Sequence, residues 1–269
     1  MTKNFKIKFW GVRAGVPIST KDTIKFGGNT TCIEIQCDNQ LIILEAGTGI
    51  HPLGNKIQNN GDLTGHIFFT KIDFERMSGL PFFVPGYSPR NKFTIVDSSP
   101  TNEHTYKEVS SLMSFPYFPI PIETMQGINN IKTILNHPIE KIIKGIKVSY
   151  LNPKFNFSST GLKICFKNKC FTYISLSKKL DIITTEEINS FAENSDLLIV
   201  SNYADFPNLS TPEFNCLKKL LEFDDEFKAK LIVYCGHHQM LYDNSLQYMQ
   251  NLLKKKNSLI SYEGLEINL

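Results

Sequence analysis

Short β-strand patterns, each closed by a turn of small residues, follow one another through the first part of this 269-residue chain. Polar and apolar residues alternate, or apolar residues run together, at 6–10, 31–35, 41–44 and 66–69. The turns contain Gly11, the run Gly27-Gly28-Asn29 and Gly47, which tolerate the backbone angles of tight turns. These patterns predict that the first part of the chain forms a β-sheet and that most helices lie later in the sequence.

The second half of the chain mixes strand patterns with helical ones. Strands are predicted at 146–150, 161–166, 170–176, 197–200 and 231–234. Thr184 and Glu187 have the spacing of a capping box, which predicts a helix through Phe191. Two further helix starts are predicted at Thr211-Pro212 and Asp243. Strands followed by mixed strands and helices predict one layered α/β domain over residues 1–269.

The composition narrows the class of protein. Hydrophobic residues make up 41% and charged residues 20%, and the net charge of +3 is too small to indicate nucleic-acid binding. The sequence contains neither an apolar run long enough to cross a bilayer nor a secretory signal pattern. We therefore predict a cytoplasmic protein with no membrane partner. Its six cysteines form no Cys-x-x-Cys pair and are predicted to be reduced core residues.

The segment between the two halves, residues 81–121, is rich in proline and aromatic side chains. It carries no strong helical or strand periodicity. We predict a long ordered loop or lid there.

Five segments together resemble the cyclic-phosphodiesterase-like branch of the metallo-β-lactamase superfamily, which includes phosphoribosyl cyclic phosphodiesterases and RNase Z-like proteins. They are KFWGVR at 8–13, FGGNTTC at 26–32, LEAGTG at 44–49, GLPFFVP at 79–85 and FPYFPIP at 115–121. They occur in the family's order and are distributed over nearly the whole chain. The resemblance implies a four-layer αββα sandwich, with two β-sheets face to face, helices outside and an active site at one edge. It also implies a homodimer.

The same resemblance implies a His-x-His-x-Asp-His motif just before the segment at 79–85. In the family this motif helps to hold two metal ions that activate a water for attack on a phosphodiester. This chain departs from the motif, because Lys71, Asp73 and Arg76 stand where its three histidines belong and Glu75 stands where its aspartate belongs. A protonated lysine or arginine has no lone pair to give to a metal. Two ligands of the former metal motif are therefore lost outright.

The ligands that the family places later in the chain are also missing at the aligned positions. The next histidine is replaced within Leu151-Asn152-Pro153, and the similar Asn136-His137-Pro138 lies before the strand rather than after it. Leu176 and Ser201 stand where two aspartates belong. Only His237-His238 matches the family's last motif in residue type. These two histidines are either a remnant ligand or a hydrogen-bonded structural pair.

Our first hypothesis is a catalytically degenerate, metal-free pseudoenzyme that acts as a binding or scaffold protein. Lys71 and Arg76 would supply the positive charge of the lost metals, paired with Asp73, Glu75 and Glu45 in a salt-bridge cluster. No catalytic residue and no cofactor is expected under this hypothesis. The partner would be an unidentified protein or a phosphorylated small molecule.

Two alternatives remain open at this point. In the first, Asp73 and Glu75 with His237 or His238 hold zinc or another divalent metal in a rebuilt phosphodiesterase site. In the second, the chain is a sensor in which Arg13, Lys71 and Arg76 contact the phosphate of a ligand. The competing interpretation of Arg13 is that it only supports the turn around Asn29.

Overall fold

The structure is a computed structural model, and it describes residues 5–97, 101–133, 140–143, 145–151, 161–176, 184–201, 220–222, 224–253 and 257–269. The strands are β1 Phe5–Gly11, β2 Cys32–Cys37, β3 Gln40–Leu44, β4 Thr64–Phe68, β5 Lys92–Asp97, β6 Ile128–Thr133, β7 Glu140–Ile143, β8 Ile146–Leu151, β9 Gly161–Phe166, β10 Lys169–Ser175, β11 Leu197–Ser201, β12 Ile232–Cys235, β13 Ser258–Ile260 and β14 Glu266–Asn268. The described helices are α1 Ile50–Ile57, α2 Phe74–Met77, α3 Asn102–Leu112, α4 Thr185–Phe191 and α5 Asp243–Leu252. Single 3₁₀ turns occur at Lys21–Thr23, Leu80–Phe82, Val84–Tyr87 and Ile122–Thr124.

These strands form two seven-stranded sheets. The first has the order β14-β1-β2-β3-β4-β5-β6 and the second the order β13-β12-β11-β10-β9-β8-β7. Within the first sheet β3 to β6 are parallel, and within the second β10 to β13 are parallel. The carboxyl ends of parallel strands gather at one edge of each sheet.

One hydrophobic cluster joins the inner faces of the two sheets, as Phe5 against Phe166 and Phe68 against Tyr150 illustrate. A second cluster packs α1 on the outer face of the first sheet, and a third packs α4 and α5 on the outer face of the second. The strand β11 of the second sheet is covered on both faces, so it is buried throughout and is apolar up to Ser201 at its end. The αββα sandwich that the resemblance implies is the observed architecture.

The predicted strands and the capping box are confirmed. Thr184 accepts a hydrogen bond from the backbone of Glu187, whose carboxylate accepts one from the backbone of Thr184. The last helix is confirmed, but Asp243 does not cap it, because its N-cap is Tyr242. The Asp243 carboxylate instead accepts hydrogen bonds from the backbone of Lys25 and Phe26. The predicted helix start at 211–212 lies outside the described residues.

Two other predictions are wrong. Residues 81–121 are not one long loop, because they contain β5 and α3. The helix α3 buries only Thr105 and Val109, so its apolar pattern is weak. Cys165 and Cys170 are joined in a disulfide rather than reduced, whereas Cys32, Cys37 and Cys235 are buried free thiols. Among the described residues, no helix has the length and apolar character needed to cross a membrane.

Candidate site at the carboxyl edge of the two sheets

The former metal motif lies directly after β4 and runs into the short helix α2. Asp73 is the N-cap of this helix, and its carboxylate accepts a hydrogen bond from the backbone N–H of Arg76 at 3.1 Å. An aspartate at this position satisfies a backbone donor that the helix leaves unpaired. The acidic side chain that stands in a histidine's place is therefore used in part to fold the loop.

The guanidinium of Arg76 lies between the edges of the two sheets. It is bonded to the Asp73 carboxylate, and its other terminal nitrogen donates to the hydroxyl of Ser175 at 2.6 Å. Its Nε lies 3.7 Å from a carboxylate oxygen of Glu45. Burial by itself would lower the pKa of Arg76, but the nearby carboxylates, those of Asp73 and Glu45 above all, raise it above its usual value. Arg76 is a fixed, permanently charged cation.

Glu45 follows β3 in a left-handed backbone conformation, with φ of 60°, and its side chain is completely buried. One carboxylate oxygen, Oε1, accepts hydrogen bonds from the hydroxyl and from the backbone N–H of Thr70. Burial raises the pKa of Glu45 to about 8, although Arg76 and Thr70 act in the opposite direction. The other oxygen, Oε2, is buried without a hydrogen-bond partner among the described residues. A carboxyl group in this position carries a proton over much of the neutral pH range.

Lys71 and Glu75 lie nearer to solvent than Arg76. The side chain of Lys71 is 50% exposed, and its ammonium is 3.8 Å from the Asp73 carboxylate. Glu75 is partly buried, and its charge raises the pKa of both Arg76 and Cys235. The structure therefore brings Lys71, Asp73 and Arg76 into one ion-paired group, with Arg76 at its centre beside the carboxyl group of Glu45 and Lys71 at its mouth.

The two candidate histidines are used by the surrounding protein. His237 is completely buried, and its Nε2 lies 2.8 Å from the carbonyl oxygen of Ser261. Burial, and then the charge of Arg13, lower the pKa of His237 to about 3. The ring is therefore neutral, and it donates its Nε2 hydrogen to that carbonyl. His238 is half-buried, and its Nδ1 accepts a hydrogen bond from the backbone of Met240 at 3.2 Å.

Arg13, a candidate anion contact, is also completely buried. Its guanidinium donates to the carbonyl oxygens of Gly27 and Leu241 and so ties the Gly27-Gly28-Asn29 turn to the segment before α5. The side chain and backbone of Asn29 donate to the carboxylate of Glu263. In this conformation Arg13 has no surface open to a dissolved anion.

The side chains at this edge that could act as metal ligands do not form a metal-binding site. Across the described ranges, no three histidine, cysteine, aspartate or glutamate side chains come together in a group able to hold an ion. Asp73 is bonded to a guanidinium, and the Nε2 of His237 is bonded to a carbonyl. Leu176 is buried in the cluster beneath the outer helices, so it faces away from this edge. The segments 136–138 and 152–153 lie outside the described residues.

Ser175 and Thr70 are site residues that the sequence reasoning missed. Phe171 and Tyr173 of β10 are buried between the sheets, so alternation along the strand places Ser175 on the same face. This signal was present in the sequence, and it points to Ser175 rather than to Leu176. Thr70 carried no comparable signal, because its contact with Glu45 depends on how two loops meet.

Comparison with known proteins supports the architecture. No family model and no curated protein matches the chain. A diphosphatase from the PhnP family superposes with a TM-score of 0.67 at 13% identity over 98% of each chain. YhfI from Bacillus subtilis, a metallo-β-lactamase fold protein, superposes with a TM-score of 0.65 at 11% identity over 98% of this chain and 99% of that one. The short form of human tRNase Z gives a TM-score of 0.60 at 13% identity, over 97% and 98% of the two chains. Identities this low bear on the fold alone.

Proposed function

Because this chain has the metallo-β-lactamase fold, we propose that it is a metal-free form of that fold which binds a ligand without hydrolysing it. The observation that carries the proposal is the buried guanidinium of Arg76, which is bonded to Asp73 and Ser175 and lies beside Glu45. A guanidinium in this place supplies positive charge to the surrounding carboxylates, as a metal ion would. It has no lone pair and cannot activate a water molecule as a Lewis acid does.

The ligand that we propose is a phosphorylated small molecule. Lys71 is the part of the ion-paired group that reaches solvent, and its 3.8 Å contact with Asp73 is loose. An ammonium at the mouth of the site can exchange this contact for a phosphate oxygen, because charge-assisted hydrogen bonds to phosphate are strong. The buried Arg76 is already bonded to Asp73 and Ser175, so Lys71 is the cation that would contact the ligand.

Binding can be tested by following the melting temperature of the protein with inorganic phosphate, pyrophosphate and cyclic nucleotides. A ligand that binds only the folded state stabilises it by RT ln(1 + [L]/Kd), so the melting temperature keeps rising with ligand concentration. We expect at least one of these anions to do so for the wild type and not for Lys71→Gln. Lys92→Gln, on the exposed face of β5, is the matched control and should keep the shift. If no anion shifts the wild type, the proposed ligand class is wrong.

Hydrolysis is tested separately, with chromogenic and cyclic phosphodiesters in the presence of Zn²⁺, Mg²⁺ or Mn²⁺. We expect no turnover above background with any of these metals. Turnover that depends on added metal and disappears in Asp73→Ala would support a rebuilt metal site and would overturn the proposal.

A further inference from the structure

The disulfide between Cys165 and Cys170 lies in the hairpin formed by β9 and β10, where the two residues are directly opposite each other. Both cysteines are partly exposed. The described free cysteines differ, because they are buried, and burial raises the pKa of Cys37 and of Cys235 to about 12. Cys165 and Cys170 are therefore the described cysteines that a dissolved reagent can reach.

The disulfide forms part of the wall of a cavity on the outer face of the second sheet. This cavity has a volume of about 830 Å³, within the range of small-molecule sites. Its floor is formed by β8, β9 and β10, and α4 forms one side with Glu186 and Glu187. A small molecule can therefore approach the two sulfur atoms from solvent. The lining carries Glu186, Glu187 and Glu193 against Lys147 and Lys163, and this small excess of negative charge favours an uncharged molecule over one that carries carboxylates.

The two sulfur atoms have different electrostatic surroundings. Lys147 is directly opposite Cys165 across β8 and β9, and both residues line the cavity. Side chains in such a pair have Cβ atoms about 4.5–5.5 Å apart. On the other side, the backbone N–H of Cys170 donates to the carboxylate of Asp196 at 3.1 Å. A thiolate at Cys165 has the ammonium of Lys147 beside it, whereas the two ammonium groups nearest to Cys170, those of Lys169 and Lys230, are already paired with Asp196.

We infer that the Cys165–Cys170 disulfide is a thiol–disulfide exchange site for small uncharged thiols that enter this cavity. The thiolate of the small molecule attacks Sγ of Cys170 and forms a mixed disulfide. The original S–S bond breaks, and its electron pair leaves on Sγ of Cys165, which becomes a thiolate beside Lys147. A second small thiol then attacks the small-molecule sulfur of the mixed disulfide and releases Cys170. Two small thiols are oxidised to one disulfide, the protein disulfide gains two electrons, and the two thiol protons end on Cys165 and Cys170.

The hairpin can remain folded through this cycle. Six residue pairs connect β9 to β10, from Lys169 opposite Phe166 to Ile174 opposite Gly161. The inward-facing residues Leu162, Ile164, Phe171 and Tyr173 are buried in the core between the sheets, on the face of the hairpin opposite the disulfide. The inference is independent of the proposed function, because these residues take no part in the Arg76 group.

The test uses the full chain and 2-mercaptoethanol, followed by alkylation of the native protein and peptide mapping by mass spectrometry. We expect Cys165 and Cys170 to be alkylated, while Cys32, Cys37 and Cys235 are protected. In Cys165→Ser, where Cys170 is a free thiol, the disulfide form of 2-mercaptoethanol (2-hydroxyethyl disulfide) is used instead: the Cys170 thiolate should attack it, release one 2-mercaptoethanol and keep the other as a mixed disulfide, because Cys165 is not there to displace it. A disulfide that stays closed in the native protein and opens only in denaturant would overturn the inference.

The role of Lys147 is tested in the Cys170→Ser background, from the pH dependence of alkylation at Cys165. We expect Lys147→Gln to raise the pKa of this thiol, so that alkylation at neutral pH becomes slower. Lys132→Gln, on the exposed part of β6 in the other sheet, is the control and should change nothing. Equal rates in the two lysine variants would contradict the assignment of Cys165 as the leaving thiolate.

Discussion

The guanidinium of Arg76 donates a hydrogen bond of 2.6 Å to the hydroxyl of Ser175, and this bond connects the loop after β4 to the end of β10. The same guanidinium is bonded to Asp73 and lies 3.7 Å from Glu45. A single cation therefore holds together groups from both sheets at the edge where the fold's active site is expected. The stability of this edge depends on that cation.

Replacing Arg76 with alanine should destabilise the protein strongly. The Asp73 carboxylate, which is 28% exposed, and the Ser175 hydroxyl would each lose a charge-assisted hydrogen bond, and such bonds contribute about 1.5–3 kcal/mol each. Urea unfolding of Arg76→Ala should show a loss of this size in the free energy of unfolding. Arg90→Ala is the matched control, because the Arg90 side chain is 72% exposed in its contact with Asp62 and should change stability by less than about 0.5 kcal/mol. Similar losses in the two variants would show that Arg76 is not a structural cation.

Because the pKa of Glu45 is raised in the folded protein, we expect the protein to become less stable as the pH rises. Its pKa is about 8 in the folded protein against an ordinary value of 4.5, so the folded state holds a proton that the unfolded state releases. The contribution of Glu45 to the free energy of unfolding is complete below pH 4.5 and is lost as the pH rises to about 8. Over this interval the free energy of unfolding falls by at most about 1.4 kcal/mol per pH unit. Glu45→Gln keeps the shape without the titration, so its free energy of unfolding should fall less over this interval. Parallel pH profiles for wild type and variant would refute this assignment.

Because the pKa of His237 is lowered in the folded protein, we expect the protein to become less stable as the pH falls into the acidic range. Its pKa is lowered from 6.5 to about 3, so the unfolded state binds a proton that the folded state excludes. The contribution of His237 to stability is complete above pH 6.5 and is lost as the pH falls toward about 3. His237→Gln can still donate to the carbonyl of Ser261, and it should remove part of the acid sensitivity seen in urea unfolding. An acid limb in His237→Gln that is identical to that of the wild type would show that burial of this imidazole does not cause the acid sensitivity.

Much of the fold could be predicted from the sequence because its signals are local. Alternation of polar and apolar residues identified β1 and β2, and the Thr184–Glu187 pair identified the start of α4. The strand β5 and the helix α3 were missed, because a proline- and aromatic-rich segment surrounds them and their own patterns are short or weakly apolar. The disulfide was missed because it depends on the register between β9 and β10, which the spacing of cysteines does not determine.

The candidate site was predictable in its charges but not in its contacts. The replacement of histidines by Lys71 and Arg76 is visible in the sequence, and it correctly indicated a cluster with Asp73 and Glu45. The unequal roles of the two cations were not visible, because they follow from burial: Arg76 is enclosed between the sheets and Lys71 is half exposed. The hydrogen bonds that Glu45 accepts from Thr70 were not visible either, because they depend on how two loops meet.

If the guanidinium of Arg76 supplies the charge that bound metal ions would supply, as we propose, the untagged protein should bind no zinc. The protein is incubated with excess Zn²⁺, separated from unbound ions and measured by inductively coupled plasma mass spectrometry, with Asp73→Ala and Arg90→Ala in parallel. We predict no stoichiometric zinc in the wild type or in Arg90→Ala. Two zinc ions per chain in the wild type, lost on mutation of Asp73, would contradict the account.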